Sequence, residues 1–158
     1  MKFFLLIITS LQIAVSSCNS GNQQHDMTAA QYIATLSADK YPEYDLVPKL
    51  DKSDIGELLK HAGNNRLINH YPIPAISAVR YGPQQVGMII LYTVESIRTQ
   101  RPQGVSSYPY VQDTAAPSRK VPLEELVPLY NAWWQRNKDK SAAELKDISP
   151  LAGTTLRW

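Results

Sequence analysis

PQQVGMIILYTVESIRT, residues 83–99, is the stretch of sequence that decides the fold. Residues 86–94 within it are nearly all apolar, and a helix that is apolar on every side is a buried one. A buried strand is the competing interpretation of such a run. We favour a helix because the pattern continues through Glu95 to Arg98 without a turn signal, and because Pro83 suits the first position of a helix. The stretch therefore predicts one central buried helix.

Two shorter helices are predicted on its N-terminal side. Thr28 is a good N-cap for a helix that runs to about Asp39, where a nearby proline stops it. Asp51 or Ser53 starts the next helix, which carries apolar residues at helical spacing. Gly63 lies just beyond that helix, where a C-cap glycine is expected.

Long connections flank the central helix on both sides. Residues 64–80 are predicted to be extended or loop, because Pro72 and Pro74 exclude a regular helix and a central strand. Residues 101–118 are rich in proline, serine and glycine. Both segments are therefore predicted as Pro-rich connecting loops.

The C-terminal part carries further helix signals. Pro122 precedes acidic residues that favour a helix N-terminus. Pro128 would break that helix in its interior, so we expect a separate helix beyond it. Residues 141–144, SAAE, form a capping-box pattern for a last short helix, and residues 150–158 are expected to be extended. The fold class is thus mainly α, with about five helices around one central buried helix and one globular domain over 28–158.

The first eighteen residues resemble a bacterial lipoprotein signal. Lys2 is followed by an apolar stretch too short to span a bilayer, and two small residues lead into Cys18. An ordinary secretory signal with an incidental cysteine is the alternative. We predict a signal peptide over 1–17, a lipid on Cys18, and a flexible polar tether over 18–27.

Composition limits the possible classes of function. The chain has 158 residues, of which 44% are hydrophobic and 19% charged, and its formal net charge is +2. These values are typical of an ordered globular domain and give no basic patch for nucleic acid, so no nucleic-acid partner is predicted. The single cysteine excludes a disulfide within the chain and a zinc site built from several thiolates.

Glu95 and Arg98 are three residues apart in the central stretch, so a helix places them on one face. A partly buried carboxylate held by a guanidinium would suit a general base or a binding clamp. We favour the alternative, a structural ion pair that fixes the end of the helix. No catalytic residue is predicted.

Aromatic residues are the one feature above background, with nine tyrosines and three tryptophans against two phenylalanines. Tyrosine and tryptophan suit surfaces that are half apolar and half wet. Trp133, Trp134, Tyr108 and Tyr110 are therefore candidate interaction residues. Ordinary packing, with the hydroxyl groups at the rim, is the alternative that we favour.

The histidines do not form a recognisable site. His61 and His70 lack the spacing that puts two metal ligands on one helix face. A zinc site that adds Asp51 or Asp54 to them is the alternative. Ser77 lacks the glycines of a nucleophile elbow. We predict no metal site and no cofactor.

Several segments together resemble one family. They are residues 73–77 (IPAIS), 87–98 (GMIILYTVESIR), the aromatic cluster 130–134, and the ending 150–158 (PLAGTTLRW). These segments are similar to an uncharacterised family of small lipoproteins from Bacteroidetes that is known only as a domain of unknown function. The resemblance covers most of the region after Asp54. It implies a lipoprotein but brings no activity, substrate or catalytic residue.

The sequence leads to one preferred function and two rivals. We expect a lipid-anchored protein of the cell envelope, in the outer membrane and facing the periplasm, that binds an envelope protein and is not an enzyme. The first rival is a hydrolase of envelope polymer or glycan that uses Glu95 or an unpaired aspartate. The second is an immunity-type inhibitor, which is a special case of protein binding.

Overall fold

A computed structural model describes residues 24–43, 45–73 and 82–158. The fold of this part is mainly α, as predicted. Its α-helices are α1 (Ala29–Ser37), α2 (Ile55–Lys60), α3 (Val86–Thr99), α4 (Leu123–Asn137) and α5 (Ala142–Leu145), with a 3-10 turn at Lys52–Asp54 before α2. Its strands are β1 (Leu67–Ile68), β2 (Gln84–Gln85), β3 (Gln112–Asp113) and β4 (Leu156–Arg157). The predictions for the signal peptide, Cys18, Pro74 and Ser77 lie outside the described residues.

Helix α3 is almost entirely enclosed. Twelve of its fourteen residues are buried, and it contacts α1, α2, α4 and α5. Gly87 allows the turn after α2 to approach closely, because a Cβ at this position would lie 2.1 Å from the carbonyl oxygen of Ala62. A helix that is apolar on every side needs a packing partner on every side, and these four helices supply the partners.

The start of α3 differs from the prediction. Pro83 is exposed and precedes the helix, which begins at Val86, while β2 pairs antiparallel with β1. The N–H of Val86 then donates to the carbonyl of Arg66 at 2.9 Å, and that of Gly87 to Asn64 at 2.8 Å. The prediction that Pro83 is the first residue of the helix was wrong. Residues 84–87 are instead bonded to residues 64–68, and a sequence pattern around Pro83 cannot indicate partners so far away in the chain.

Local caps account for the starts of two helices. Thr28 caps α1 and Ser141 caps α5, each through a capping box with the residue three positions later, so both predicted caps are confirmed.

The prediction that Gly63 is the C-cap glycine of α2 is wrong. The helix ends at Lys60, and in the described part the glycines with positive φ are Gly104 and Gly153.

Pro128 does not interrupt α4, which is one continuous helix with this proline inside it. The predicted break is wrong for a structural reason. Pro128 is on the exposed side, where water can bond the carbonyl that lacks an N–H partner. The opposite side buries Leu126, Tyr130 and Trp133, and this packing holds the helix together on both sides of the proline.

The C-terminal tail is compact rather than extended. Residues 150–155 form turns and bends, and only Leu156–Arg157 is a strand, paired antiparallel with Gln112–Asp113. Leu151 and Leu156 are buried. The turn residues make local hydrogen bonds, such as Thr154 N–H to the carbonyl of Leu151 at 3.2 Å, so the tail folds back onto the domain.

Asp39 joins the end of α1 to the loop after β1. It has a positive φ of 57°, and its Oδ1 accepts hydrogen bonds from the backbone N–H groups of Asn69 at 2.7 Å and His70 at 2.8 Å. Burial alone would raise the pKa of Asp39, but these hydrogen bonds outweigh it and lower the pKa to about 2. The carboxylate is therefore a fixed anionic clamp.

The last residues of the predicted tether are attached to the domain. His25 Nε2 lies 2.6 Å from Oδ2 of Asp45, and the carbonyl of His25 accepts from the N–H of Lys49 at 3.0 Å. Asp26 Oδ1 lies 3.1 Å from Nζ of Lys49. Met27 packs against the core. The ordered domain thus extends to the start of the described residues.

Candidate functional site

Glu95 and Arg98 form a buried ion pair on α3. Arg98 donates to Oε2 of Glu95 through Nε at 3.1 Å and Nη2 at 2.7 Å. Its Nη1 donates to the backbone carbonyls of Leu145 and Lys146 at the end of α5. Glu95 is 2% exposed and Arg98 8%. The pair therefore links the last turns of α3 and α5.

Two aromatic side chains complete this cluster. The Tyr130 hydroxyl donates to Oε1 of Glu95 at 2.9 Å, and the indole N–H of Trp158 donates to the Tyr130 oxygen at 2.7 Å. Burial and the negative charge of Glu95 raise the pKa of Tyr130 well above its ordinary value. The cluster thus connects α3, α4, α5 and the last residue of the chain.

The geometry of this cluster suits a structural role. Both oxygens of Glu95 accept hydrogen bonds, and in the described part no buried side-chain polar atom lacks a partner. To take a proton from a substrate, Glu95 would first have to give up its bonds to Tyr130 and Arg98. A general base needs a free oxygen within reach of the reacting group. Both oxygens of Glu95 instead accept hydrogen bonds from Arg98 and Tyr130.

The adjacent tryptophans lie in different environments. Trp133 is 1% exposed and donates its indole N–H to the carbonyl of Ile148 at 2.8 Å. Trp134 is half-buried and covers Gly56, where a Cβ would lie 3.3 Å from its Nε1. Of these two candidate interaction residues, Trp133 belongs to the core and Trp134 covers α2.

The tyrosines at the core use their hydroxyl groups to fix distant segments. Five of them are no more than 1% exposed: Tyr32, Tyr41, Tyr71, Tyr92 and Tyr130. Their hydroxyl groups bond Thr93, Leu46, Gly82, Ser106 and Glu95 respectively. Five of the seven tyrosines in the described residues therefore serve packing, and the other two are Tyr108 and Tyr110.

Tyr108 and Tyr110 are half-buried in the loop between α3 and β3. Their rings stack with centroids 6.0 Å apart and an interplanar angle of 27°. The N–H of Tyr110 donates to the carbonyl of Tyr108 at 2.8 Å, and the Gln84 amide donates to the Tyr108 hydroxyl. This pair is here called the tyrosine stack. Of the four candidate interaction residues, these are the two that lie together at the surface.

The segment before the tyrosine stack is fixed to α3. The hydroxyl of Tyr92 donates to the carbonyl of Ser106 at 2.7 Å. Gly104 has φ of +92°, and a Cβ there would lie 1.6 Å from the Tyr92 oxygen. The stack is thus presented by a loop that one hydrogen bond and one close contact attach to the core.

Each histidine of the described part lies beside a carboxylate. His61 Nε2 is 3.8 Å from Oε1 of Glu57, and His70 Nδ1 is 3.2 Å from Oδ1 of Asp39. Among the residues that the structure describes, no group of three His, Cys, Asp or Glu side chains is placed to hold a metal ion.

Sequence reasoning missed a cleft of about 330 Å³ at the C-terminal end of α3. Val47, Leu50 and Ile97 contribute its apolar lining, and Lys52 and Arg101 its cationic lining. No local signal could have indicated it, because its walls come from four separate segments of the chain.

None of the helices in the described ranges is long and apolar enough to cross a bilayer. No curated protein and no solved structure matches the chain. A family model matches residues 23–158, which include every described residue. The chain therefore belongs to the family described as Domain of unknown function (DUF4943).

Proposed function

We propose that this protein is held at the bacterial cell envelope by a lipid on Cys18 and binds another envelope protein through the tyrosine stack. The order of charge, short apolar stretch, small residues and cysteine supports the lipid anchor. Each buried methylene of an acyl chain contributes about 0.8 kcal/mol to membrane binding. The proposed location is the outer membrane, facing the periplasm.

The single observation that carries protein binding is the tyrosine stack on its fixed loop. A protein interface gains most from aromatic side chains that are already ordered, because little conformational entropy is lost on binding. Tyr108 and Tyr110 meet this condition, since they stack on each other and the preceding segment is bonded to α3.

The enclosed state of Glu95 supports binding over hydrolysis. A glycan hydrolase needs a pair of carboxyl groups facing the scissile bond. Glu95 instead faces Arg98 and Tyr130 inside the fold. The form of the hydrolase hypothesis that uses Glu95 is therefore disfavoured, because this carboxylate is bonded within the fold.

The anchor is tested by growing cells with a clickable fatty acid. We expect label on the wild-type chain and none on Cys18→Ser, with the variant accumulating as uncleaved precursor or in soluble form. A wild-type chain that carries no label would contradict the anchor.

The interface is tested by photo-crosslinking from a p-benzoylphenylalanine placed at position 110. Lys138, exposed at the end of α4, is the matched control position. We expect an adduct of discrete mass from position 110 and not from 138. If both positions or neither give that adduct, the tyrosine stack is not the contact surface.

A further inference from the structure

We propose that the cleft at the C-terminal end of α3 binds a small amphipathic anion, meaning one carboxylate or phosphate group on a short apolar chain. Its volume of about 330 Å³ lies at the lower end of the range for small-molecule pockets. Neither Tyr108 nor Tyr110 lines it, and the proposal does not depend on the lipid anchor.

The apolar part of the ligand has a preformed floor. Val47 is 3% exposed, and Leu50 and Ile97 are half-buried and pack against the hydrophobic core. All three line the cleft. A short alkyl chain placed on this floor would leave water without disturbing the packing, and such burial is favourable in proportion to the apolar area removed.

The charged part of the ligand has two cationic partners. Lys52 and Arg101 line the cleft, and within the described residues neither makes an ion pair or a side-chain hydrogen bond. Lys52 does act electrostatically on Glu144, where a hydrogen bond from Ser141 is the larger cause of the lowered pKa. Both cations are thus free to bond an incoming anion.

The nearby acids are already engaged by the protein. Asp51 is the acid among the lining residues, and its Oδ1 accepts from the N–H of Ser53 at 2.7 Å and from its hydroxyl at 2.6 Å. Glu144 accepts from the N–H of Ser141 at 2.8 Å. The lining nevertheless carries two cations, Lys52 and Arg101, against the single carboxylate of Asp51, so its net positive charge favours an anion over a cation.

The test uses protein purified from cells that express the full chain, with phosphatidylcholine vesicles present. The probe is octanoate that carries a diazirine near its methyl end, and mass spectrometry locates the adducts. We expect adducts on Leu50, Ile97 or their direct neighbours. Octanoate and octyl phosphate should compete with the probe, whereas octanol and octylammonium should not.

Variants separate specific from nonspecific labelling. Lys52→Gln with Arg101→Gln should reduce labelling roughly tenfold, because each exposed ion pair contributes a factor of a few. Lys40→Gln with Arg66→Gln removes the same charges from exposed positions outside the cleft and should label as the wild type does. Leu50→Asp should also abolish labelling while circular dichroism shows a folded chain.

Adding phosphatidylglycerol to the vesicles distinguishes the source of the anion. Suppressed labelling identifies a membrane lipid, and unchanged labelling identifies a soluble ligand; both support the same chemistry. The proposal is overturned if octanol competes as well as octanoate, if adducts map outside the cleft, or if the Lys52 and Arg101 double variant labels like the wild type.

Discussion

Arg98 Nη2 lies 2.7 Å from Oε2 of Glu95, one helical turn away on α3, with both side chains buried. A buried ion pair is stable only when its remaining hydrogen-bonding capacity is also satisfied. Here Tyr130 supplies the further donor for Glu95, and the carbonyls of Leu145 and Lys146 supply acceptors for Arg98. The pair therefore fastens α5 and α4 to the end of α3.

Glu95→Gln and Arg98→Met should each lower the free energy of unfolding. Removing one partner of a buried pair costs about 3–5 kcal/mol, because the other charge is left without compensation. Arg98→Met should be the more severe change, since it also releases the two carbonyls of α5. The double variant should cost less than the sum of the single variants. Urea unfolding of all four chains measures this coupling, and additive losses would contradict it.

Ile90→Asp should unfold the domain or lower its Tm by more than about 10 °C, because Ile90 is 0% exposed and an unpaired charge there costs several kcal/mol. Ile90→Val is the matched control, with an expected loss of about 1 kcal/mol. A thermal melt of each variant checks the result. An Ile90→Asp chain that melts within a few degrees of the wild type would mean that α3 is not enclosed.

Gly104→Ala should destabilise the protein by about 2–4 kcal/mol, because φ at this position is +92° and the new methyl group would meet the Tyr92 hydroxyl. Gly63→Ala is the control. A Cβ at Gly63 meets nothing within 4 Å, and its φ is not positive, so the change should be neutral or slightly stabilising. Equal losses at both glycines, measured by denaturant unfolding, would show that the contact with Tyr92 is unimportant.

Asp39→Asn should be less stable than the wild type at neutral pH, and the difference should shrink as the pH falls from 4 towards 2. The folded pKa of Asp39 is lowered to about 2, so its contribution is complete above the unfolded pKa and is lost on protonation. Asparagine tolerates the positive φ, which isolates the effect of charge. Thermal melts across this pH range test the idea. Asp147→Asn, at an exposed acid, is the matched control.

Features that depend on sequence neighbours could be predicted. The caps at Thr28 and Ser141 each form within three residues, and the shared face of Glu95 and Arg98 follows from helical spacing alone. For the same reason the mainly α character was accessible from the pattern of apolar residues.

Features that depend on distant residues could not be predicted. Gln84–Gln85 is a strand only because Leu67–Ile68 lies beside it, and nothing in either dipeptide indicates the other. Asp39 contacts residues 30 and 31 positions later. Pro128 gives a strong local signal to end a helix, but packing of the opposite side of α4 overrides it. The cleft likewise exists only after separate segments meet.

The most direct test of the proposed function compares how much of the crosslinked partner two variants, Tyr110→Ser and Glu95→Gln, still capture. The partner is first identified from the position-110 probe; the variants, which carry no probe, are then crosslinked with formaldehyde in intact cells. The measurement is the ratio of captured partner to chain, corrected for the amount of folded chain. Tyr110→Ser should lower the ratio at least about tenfold, as for a central aromatic residue of an interface, while the loss of its stacking on Tyr108 costs only about 1 kcal/mol of stability. Glu95→Gln should lower the Tm and leave the corrected ratio unchanged. A lost ratio in Glu95→Gln at unchanged Tm, with binding retained in Tyr110→Ser, would contradict the account and make Glu95 part of the site.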